Sequence, residues 1–275
     1  MKKILIIIFL ICLIPVALAA QDSPKRIISL GPFVTEEIFL LGAEDQLVGC
    51  TNYCKQPPEA MNKEKVGTIQ EANVEKIAIL SPDIVLATNL TNPRAADKLR
   101  SLGIEVKRFP LAKDFDEMCS QFIDIGKIVG KEETARQLTS ESRKKVEAIK
   151  ERVKDLKHPR IFVQVGTKPL FTISKDSFVN SFVENAGGIN IASDAGIGFF
   201  NMEEVIRRNP DIILIISMGI AAKEEKTKWM KYKTMNAARD DRIYIIDSYA
   251  LCSPTPVSFA ETLADIAELI HPGSR

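Results

Sequence analysis

Histidine is scarce in this chain, and the motifs on which most catalysis and nucleotide binding depend are missing. His158 and His271 are the only two among 275 residues, too few for a multi-histidine metal site and poorly suited to a histidine-based triad. No Walker-type Gly-Lys-Ser/Thr occurs, and Gly196-Ile197-Gly198 lacks the third glycine of a dinucleotide-binding turn. The 37 basic and 36 acidic residues balance, which leaves no basic footprint for nucleic acid. The sequence therefore predicts no catalytic site, no resident metal site, no cofactor and no nucleic-acid partner.

The chain has only one long apolar run, at its amino terminus, and lacks a second. Two lysines precede the apolar residues 4–14, and Ala17-Leu18-Ala19 offers an A-x-A cleavage site, a pattern typical of a secretory signal peptide. The run is too short to span a bilayer. Bulky Ile11 precedes Cys12, where lipoprotein processing requires a small residue. We therefore predict a signal peptide over residues 1–19 and a soluble periplasmic protein with neither lipid anchor nor membrane insertion.

Cysteine is sparse after the predicted signal peptide, where four remain. An exported protein can form disulfides, and Cys50 and Cys54 are the only local pair. Their spacing is not that of a C-x-x-C redox motif, and no histidine lies nearby to complete a zinc site. Two interpretations stay open: buried thiols without a special role, and a Cys50–Cys54 disulfide.

One segment of the chain occurs twice, with an offset of 128 residues. Residues 73–86 contain NVEKI and SPDIVL, and residues 201–214 contain NMEEV and NPDIIL at the equivalent positions. Each copy predicts a helix capped by its asparagine, with a glutamate in the first turn, that gives way at the proline to a buried strand. Two copies predict two similar lobes. Glu75 and Glu203 occupy equivalent helix starts; each alone would stabilise its helix by about 0.3–1 kcal/mol without any partner.

Strands and helices alternate on both sides of a charged helical stretch. Alternation over residues 26–108 and 160–270 predicts parallel sheets covered on both faces. Residues 114–129 predict one helix, and residues 131–156 predict a second of about 26 residues, roughly 39 Å long, which suits a stiff strut between two lobes. The fold class is thus α/β, with two Rossmann-like lobes joined by a long helix. The predicted boundaries are an N-terminal lobe over 20–113, a helical connector over 114–157 and a C-terminal lobe over 158–275.

Loops that follow the predicted strands carry many of the chain's few aromatic residues. Such loops line the crevice at the carboxyl ends of open α/β sheets, and ligand sites are mostly apolar with a few polar groups. The sequence therefore predicts an apolar cleft for a flat or bulky ligand, although core packing is the alternative for each phenylalanine. The predicted ligand-binding residues are Pro32, Phe33, Tyr53, Lys168, Phe171, Phe199, Phe200 and Tyr249.

Short strings spread over residues 25–271 resemble one family of binding proteins. RIISLGP at residues 26–32, the repeated Pro-Asp segments and AGGIN at residues 186–190 are similar to those of the periplasmic binding proteins for vitamin B12, haem and ferric siderophores. The resemblance implies a class III periplasmic binding protein, in which a single long α-helix joins two lobes and the ligand occupies the cleft between them.

The resemblance also implies the partners and the roles of particular residues. The expected partner is the permease dimer of an ABC importer, whose arginines would meet Glu75 and Glu203. Tyr53 and Phe171 match aromatic positions that contact the corrin ring in B12-binding members. Residues 251–256 lack the arginines of many siderophore binders, which favours a corrinoid. The expected function is capture of a cobalt-containing corrinoid by a monomeric, non-enzymatic protein; an iron-containing haem or ferric siderophore is the alternative, and a metal-handling enzyme is disfavoured by the scarcity of histidine.

Overall fold

A computed structural model describes residues 26–196, 198–217 and 221–273, which form two separate β-sheets with helices packed around them. Each sheet has an apolar cluster on either face, because successive strand residues point to opposite sides. Ile27 and Ile28 belong to different clusters, as do Ile161 and Phe162 in the second sheet. The predicted signal peptide lies outside the described residues. Within the described ranges, no helix combines the length and apolar character that crossing a membrane requires.

The first sheet is entirely parallel, as the sequence predicts. Its strands are β1 (Ile27–Ser29), β2 (Leu47–Cys50), β3 (Glu64–Lys65), β4 (Ile84–Thr88) and β5 (Glu105–Phe109). They lie in the order β3-β2-β1-β4-β5. Strand β4 is buried along its whole length, because helices cover both faces of the sheet. Those helices are α1 (Pro32–Leu40), α2 (Val74–Ile79) and α3 (Pro93–Ser101).

The connector consists of two helices, α4 (Phe115–Ile128) and α5 (Glu132–Val153), which run side by side in opposite directions. Helix α4 starts in the core of the second lobe, where Phe115 packs, and reaches the core of the first lobe at Phe122. Helix α5 returns from Ala135 in the first core to Val146 in the second. The predicted strut is therefore half of a helical hairpin, and both of its helices bridge the lobes.

The second sheet is parallel except at one edge. Its strands are β6 (Arg160–Thr167), β7 (Leu170–Thr172), β8 (Ile189–Asn190), β9 (Ile212–Ser217) and β10 (Ile243–Asp247). They lie in the order β10-β9-β6-β7, with β8 also pairing to β6. Strand β7 is antiparallel to β6, whereas the sequence predicts a loop at residues 167–171. Thr167 pairs with Leu170 across a two-residue turn, and so short a connection permits only an antiparallel partner.

Six helices of the described residues complete the second lobe, and three of them, α8, α9 and α10, were not predicted from the sequence. They are α6 (Phe178–Asn185), α7 (Met202–Arg208), α8 (Ala221–Trp229), α9 (Asn236–Arg239), α10 (Ser248–Cys252) and α11 (Pro256–Ile270). Helix α8 is fixed to the sheet by a buried polar chain. The Trp229 indole N–H donates to Gln164 Oε1 at 2.7 Å, and Gln164 Nε2 donates to Glu225 Oε2 at 3.0 Å.

The duplicated sequence segment is duplicated in backbone geometry as well. Asn73 Oδ1 caps α2 by accepting a backbone N–H at 2.9 Å, and Asn201 Oδ1 caps α7 in the same way at 2.7 Å. Beyond each helix a non-glycine residue adopts left-handed backbone angles, Ser81 with φ 45° and Asn209 with φ 46°. The predicted repeat is thus confirmed, and it includes the conformation that ends each helix.

Each repeat is also tied to the first strand of its own lobe by the same hydrogen bond. The Asp83 carboxylate accepts the Arg26 backbone N–H at 2.9 Å, and the Asp211 carboxylate accepts that of Arg160 at 3.0 Å. These equivalent anchors place the starts of α2 and α7 at corresponding positions of the two lobes.

Candidate ligand-binding cleft

The loop after β2 presents an exposed aromatic ring at the carboxyl edge of the first sheet. Tyr53 is 54 % exposed. It lines a shallow hollow together with Thr68, Ile69, Gln70 and Leu90, which come from the loops that follow β3 and β4. Because all these loops leave the same edge of a parallel sheet, they form one surface on which apolar side chains alternate with hydroxyl and amide groups.

Two phenylalanines form an exposed aromatic pair on the second lobe. Phe171 is 36 % exposed and Phe199 is 55 % exposed, and their rings meet edge to face with centroids 5.4 Å apart. Gly198 makes this approach possible: its φ is 81°, and an added Cβ would lie 2.6 Å from the Phe171 ring. Thr172 N–H also donates to the Gly198 carbonyl at 2.8 Å. The two predicted residues therefore stand together, with ring surface that the lobe core does not cover.

Three other predicted ligand-binding residues pack against the lobe cores, two of them buried and the third, Phe200, half-buried. Pro32 is buried at the first position of α1, and Phe33 is 8 % exposed within the first core because that helix turns it inward. Phe200 packs on Phe162 with ring centroids 5.9 Å apart, and the Arg208 guanidinium lies 5.0 Å from its centroid. The core-packing alternative holds for these side chains.

The remaining two predicted residues, Lys168 and Tyr249, occupy different surroundings. Lys168 is exposed in the turn between β6 and β7. Tyr249 is half-buried in α10, where the sequence predicts a loop; the helix forms because Asp247 caps it, accepting the Tyr249 N–H at 2.8 Å. Tyr249 faces a second cavity of about 550 Å³ between α1 and α11, whose acidic lining comprises Glu36, Asp247, Glu261 and Asp265.

Two adjacent carboxyl groups on α1, the half-buried Glu36 and the buried Glu37, lie where the lobes meet, and the sequence analysis did not identify them. Burial raises the pKa of Glu36 to about 7, against the opposing effect of hydrogen bonds from Ser258 and Thr255. The Thr255 hydroxyl lies 3.5 Å from Glu36 Oε1, across the interface between the lobes. Glu37 is 1 % exposed, and burial followed by the nearby Glu36 raises its pKa. The sequence feature that could have revealed these carboxyl groups is an acidic pair inside the otherwise apolar segment of α1.

Cys50 and Cys54 are free, buried thiols in the structure and do not form the disulfide that was one of the two interpretations of the sequence. Both sulfur atoms are engaged in hydrogen bonds instead. Lys65 Nζ lies 3.2 Å from Cys50 Sγ, and the Thr35 hydroxyl lies 3.0 Å from Cys54 Sγ.

Glu75 and Glu203 are both exposed in the first turns of their helices. Their neighbours in sequence form ion pairs on the protein itself: Lys76 with Glu64, and Glu204 with Arg207. Among the residues described by the structure, neither Glu75 nor Glu203 forms an ion pair of this kind. Each lobe therefore presents one carboxylate at an equivalent helix start.

The side chains of both histidines contact backbone carbonyl groups. His158 Nδ1 lies 2.8 Å from the Gly187 carbonyl oxygen, and His271 Nε2 lies 3.1 Å from that of Ala186. In the part of the chain that the structure describes, no three or more His, Cys, Asp or Glu side chains are arranged to hold a metal ion.

The chain belongs to the periplasmic binding protein family, whose model matches residues 27–250. Members of this family are transport components and not enzymes. A relative from Bacillus subtilis (strain 168), the ABC transporter substrate-binding lipoprotein YvrC, is 32 % identical over 263 residues, which cover 92 % of this chain and 82 % of that protein.

Solved structures of two binding proteins share the fold. The vitamin B12-binding protein BtuF of Vibrio cholerae is similar with a TM-score of 0.78 and 25 % identity, covering 90 % of this chain and 97 % of that chain. The haem-binding protein RhuT from Roseiflexus sp. RS-1 is similar with a TM-score of 0.80 and 23 % identity, covering 92 % and 100 % respectively. The predicted fold class, a class III periplasmic binding protein with two α/β lobes joined by a long helix, is confirmed.

Proposed function

We propose that this protein captures a corrinoid in the periplasm and delivers it to an ABC importer. The observation that carries the proposal is the exposure of large aromatic side chains at the carboxyl edges of both lobes: Tyr53 on the first, and the Phe171–Phe199 pair on the second. Exposed aromatic rings gain apolar contact when a ligand covers them. A ligand with a broad ring system can contact the aromatic side chains of both lobes at once. The similar proteins are named for binding vitamin B12 and haem, and each of these ligands contains a broad ring system.

The charge of the surroundings favours a corrinoid over haem or a ferric siderophore. Haem carries two propionates and many siderophores are anionic, so either ligand calls for basic groups. Lys168 is the one basic residue in the predicted ligand-binding set. The neighbouring cavity between α1 and α11 is lined by four carboxyl groups. The amide side chains of a corrinoid impose no such demand.

Haem is the second candidate, and Tyr53 is the residue that separates the two. Haem iron needs an axial side chain such as His, Cys, Met or Tyr. His158 and His271 both lie against backbone carbonyls. Tyr53 is exposed at the sheet edge, and its phenol oxygen can coordinate haem iron. A corrinoid, in contrast, would contact only the face of the Tyr53 ring.

Substitutions at Tyr53 test these roles through binding titrations with cyanocobalamin and haemin. Tyr53→Phe keeps the ring, so corrinoid affinity should stay within about two-fold, whereas Tyr53→Ala should lower it about ten-fold, as expected for losing one stacking face worth about 0.5–1.5 kcal/mol together with apolar contact. Leu102→Ala is the control, because Leu102 is 50 % exposed but follows α3, at the opposite edge of the sheet.

The outcome for Tyr53→Phe decides between the ligands. Haemin bound through the phenol should lose its tyrosinate charge-transfer absorption in this variant. Corrinoid affinity that survives both Tyr53 substitutions would contradict the role assigned to the aromatic surface.

Glu75 and Glu203 are proposed to dock this protein, as a monomer, on arginines of the two permease subunits. Support comes from their exposure, their equivalent positions and the ion pairs that their neighbours form elsewhere. Complementary charge chiefly sets encounter rate and specificity. Glu75→Gln and Glu203→Gln should therefore slow association with the permease and reduce its salt dependence, with ligand affinity unchanged. Glu133→Gln, an exposed change on α5, is the control; loss of ligand affinity with intact permease binding would refute the assignment.

Release as a periplasmic protein without a lipid anchor is also a proposal. It rests on Ile11 immediately before Cys12 and on the later A-x-A site. Amino-terminal sequencing of the exported protein should give Ala20 or Gln21 as the first residue. Retention of an acylated Cys12 would show instead that the protein is a lipoprotein, as YvrC is named.

A further inference from the structure

Cys50 and Cys54 are held together beneath the loop that carries Tyr53. Strand β2 ends at Cys50, and the Cys54 N–H donates to the Thr51 carbonyl at 3.1 Å. This four-residue turn folds Cys54 back over the strand end. Both cysteine side chains are 0 % exposed, yet Tyr53 and Lys55 on either side of Cys54 are exposed. The turn that covers the two thiols is therefore itself exposed to solvent on both sides of Cys54.

Hydroxyl groups surround the sulfur of Cys54. Thr35 Oγ1 donates to Cys54 Sγ at 3.0 Å, and Thr51 Oγ1 lies 3.2 Å from the same atom. Donors of this kind favour the thiolate, which is the nucleophilic form of cysteine. A hydrogen bond from Cys50 and those from the two threonines lower the pKa of Cys54 to about 6, although burial acts in the opposite direction.

Cys50 has a different partner, a fixed ammonium group. Lys65 Nζ lies 3.2 Å from Cys50 Sγ and donates to the Ala60 carbonyl at 2.8 Å and to the Cys54 carbonyl at 3.3 Å. The hydrogen bond to Cys54, followed by burial, raises the pKa of Cys50. The two thiols thus differ in their partners: two threonine hydroxyl groups surround the sulfur of Cys54, whereas the Lys65 ammonium group, which lowers the pKa of Cys50 against the effects of Cys54 and burial, lies beside the sulfur of Cys50. Cys119 is a useful contrast, since it is equally buried and burial raises its pKa to about 12.

We propose that Cys50 and Cys54 form a dithiol site that undergoes exchange with small disulfides of the glutathione class and closes to an intramolecular disulfide. The Cys54 thiolate attacks one sulfur of the small disulfide, whose S–S bond breaks and releases one thiolate. Cys50 then gives up its proton and attacks Cys54 Sγ, which releases the second thiolate. The two protein thiols are oxidised to one disulfide, and the small disulfide is reduced to two thiols that take up the two protons.

The test is exchange of the fully reduced exported protein with oxidised glutathione, followed by acid quenching, denaturation, alkylation and peptide mass mapping. The wild type and Cys119→Ser should lose alkylation at Cys50 and Cys54 together, with a direct link between them and no retained glutathione. Cys50→Ala should trap one glutathione on Cys54. Cys54→Ala should leave Cys50 alkylated and free of glutathione.

Removing one hydrogen-bond donor to Cys54 Sγ tests separately whether Cys54 is the attacking thiol. In the Cys50→Ala background, Thr35→Val should slow formation of the glutathione adduct on Cys54 several-fold. The proposal is overturned if Cys50 and Cys54 of the wild type stay fully alkylated after the incubation, or if the two single alanine variants form adducts at equal rates. A near-native far-UV spectrum is required of each variant, and Cys→Ser versions of both positions serve as replacements. None of these readouts involves the transported ligand.

Discussion

The half-buried carboxyl group of Glu36, which lies where the two lobes meet, leads to a prediction about stability. Its neighbours are Thr255, which caps α11, Ser258 and Glu261 of α11, and Tyr249 of α10, and the adjacent Glu37 lies on its own helix. None of these groups carries a positive charge. Ionising Glu36 therefore places an uncompensated negative charge in the interface, and the glutamine variant Glu36→Gln removes that possibility.

The sign and size of the effect follow from the pKa. Burial raises the pKa of Glu36 from 4.5 to about 7. Between these pH values the folded protein keeps the proton while the unfolded chain has lost it, so the free energy of unfolding falls as the pH rises and then stays constant above about 7. At 1.36 kcal/mol per pH unit this interval corresponds to about 3 kcal/mol. Glu36→Gln should thus stabilise the protein by up to about 3 kcal/mol at pH 7 and have little effect at pH 4.5.

Urea unfolding at pH 4.5, 5.5, 7 and 8 measures the difference directly. The advantage of Glu36→Gln over the wild type should grow between the first and third of these values. Glu37 acts in the same direction because its pKa is also raised, so part of the slope should persist in the variant. Glu133→Gln, an exposed change on α5, should not alter the slope. A difference between Glu36→Gln and the wild type that is constant across the four pH values would refute the reasoning.

Three further predictions concern packing and motion. Gln164→Leu should lower the free energy of unfolding by about 2–3 kcal/mol in urea, because it leaves the Trp229 N–H without its buried acceptor; the exposed change Gln137→Leu should have almost no effect. Gly198→Ala should cost at least about 1–2 kcal/mol, since it forces a left-handed residue against the Phe171 ring; an unchanged melting temperature would contradict this. Ligand binding should leave the radius of gyration in small-angle scattering almost unchanged, because two bridging helices resist bending; a large compaction would rule out a rigid connector.

The regular elements were predictable where local pattern and tertiary packing agree. The strand at Ile84–Thr88 and the helix at Met202–Arg208 lie where the duplicated segments predict a strand and a helix, since an apolar run and an asparagine cap mark them in the sequence. Helix α5 was predicted as a strut, but its pairing with α4 was not. That pairing depends on contacts such as the one between Gly126 and Ala135, and the sequence pattern of neither helix specifies its neighbour.

The candidate site was predictable in position and only partly in its members. The rule that loops follow the carboxyl ends of strands led to Tyr53, Phe171 and Phe199, which are exposed. The same rule also selected Phe33 and Phe200, whose rings pack against the lobe cores, because it does not tell whether a side chain points toward the loop surface or back into the lobe. The distinction depends on where a helix begins and which ring lies behind it.

The most direct test of the central claim is the visible spectrum of the protein after incubation with cyanocobalamin, haemin and a ferric siderophore in competition, followed by desalting. The account predicts that the protein retains one corrinoid per chain and that Tyr53→Ala and Phe171→Ala reduce this retention while their far-UV spectra stay native. Retention of haem or siderophore bands in place of the corrinoid spectrum would contradict the account.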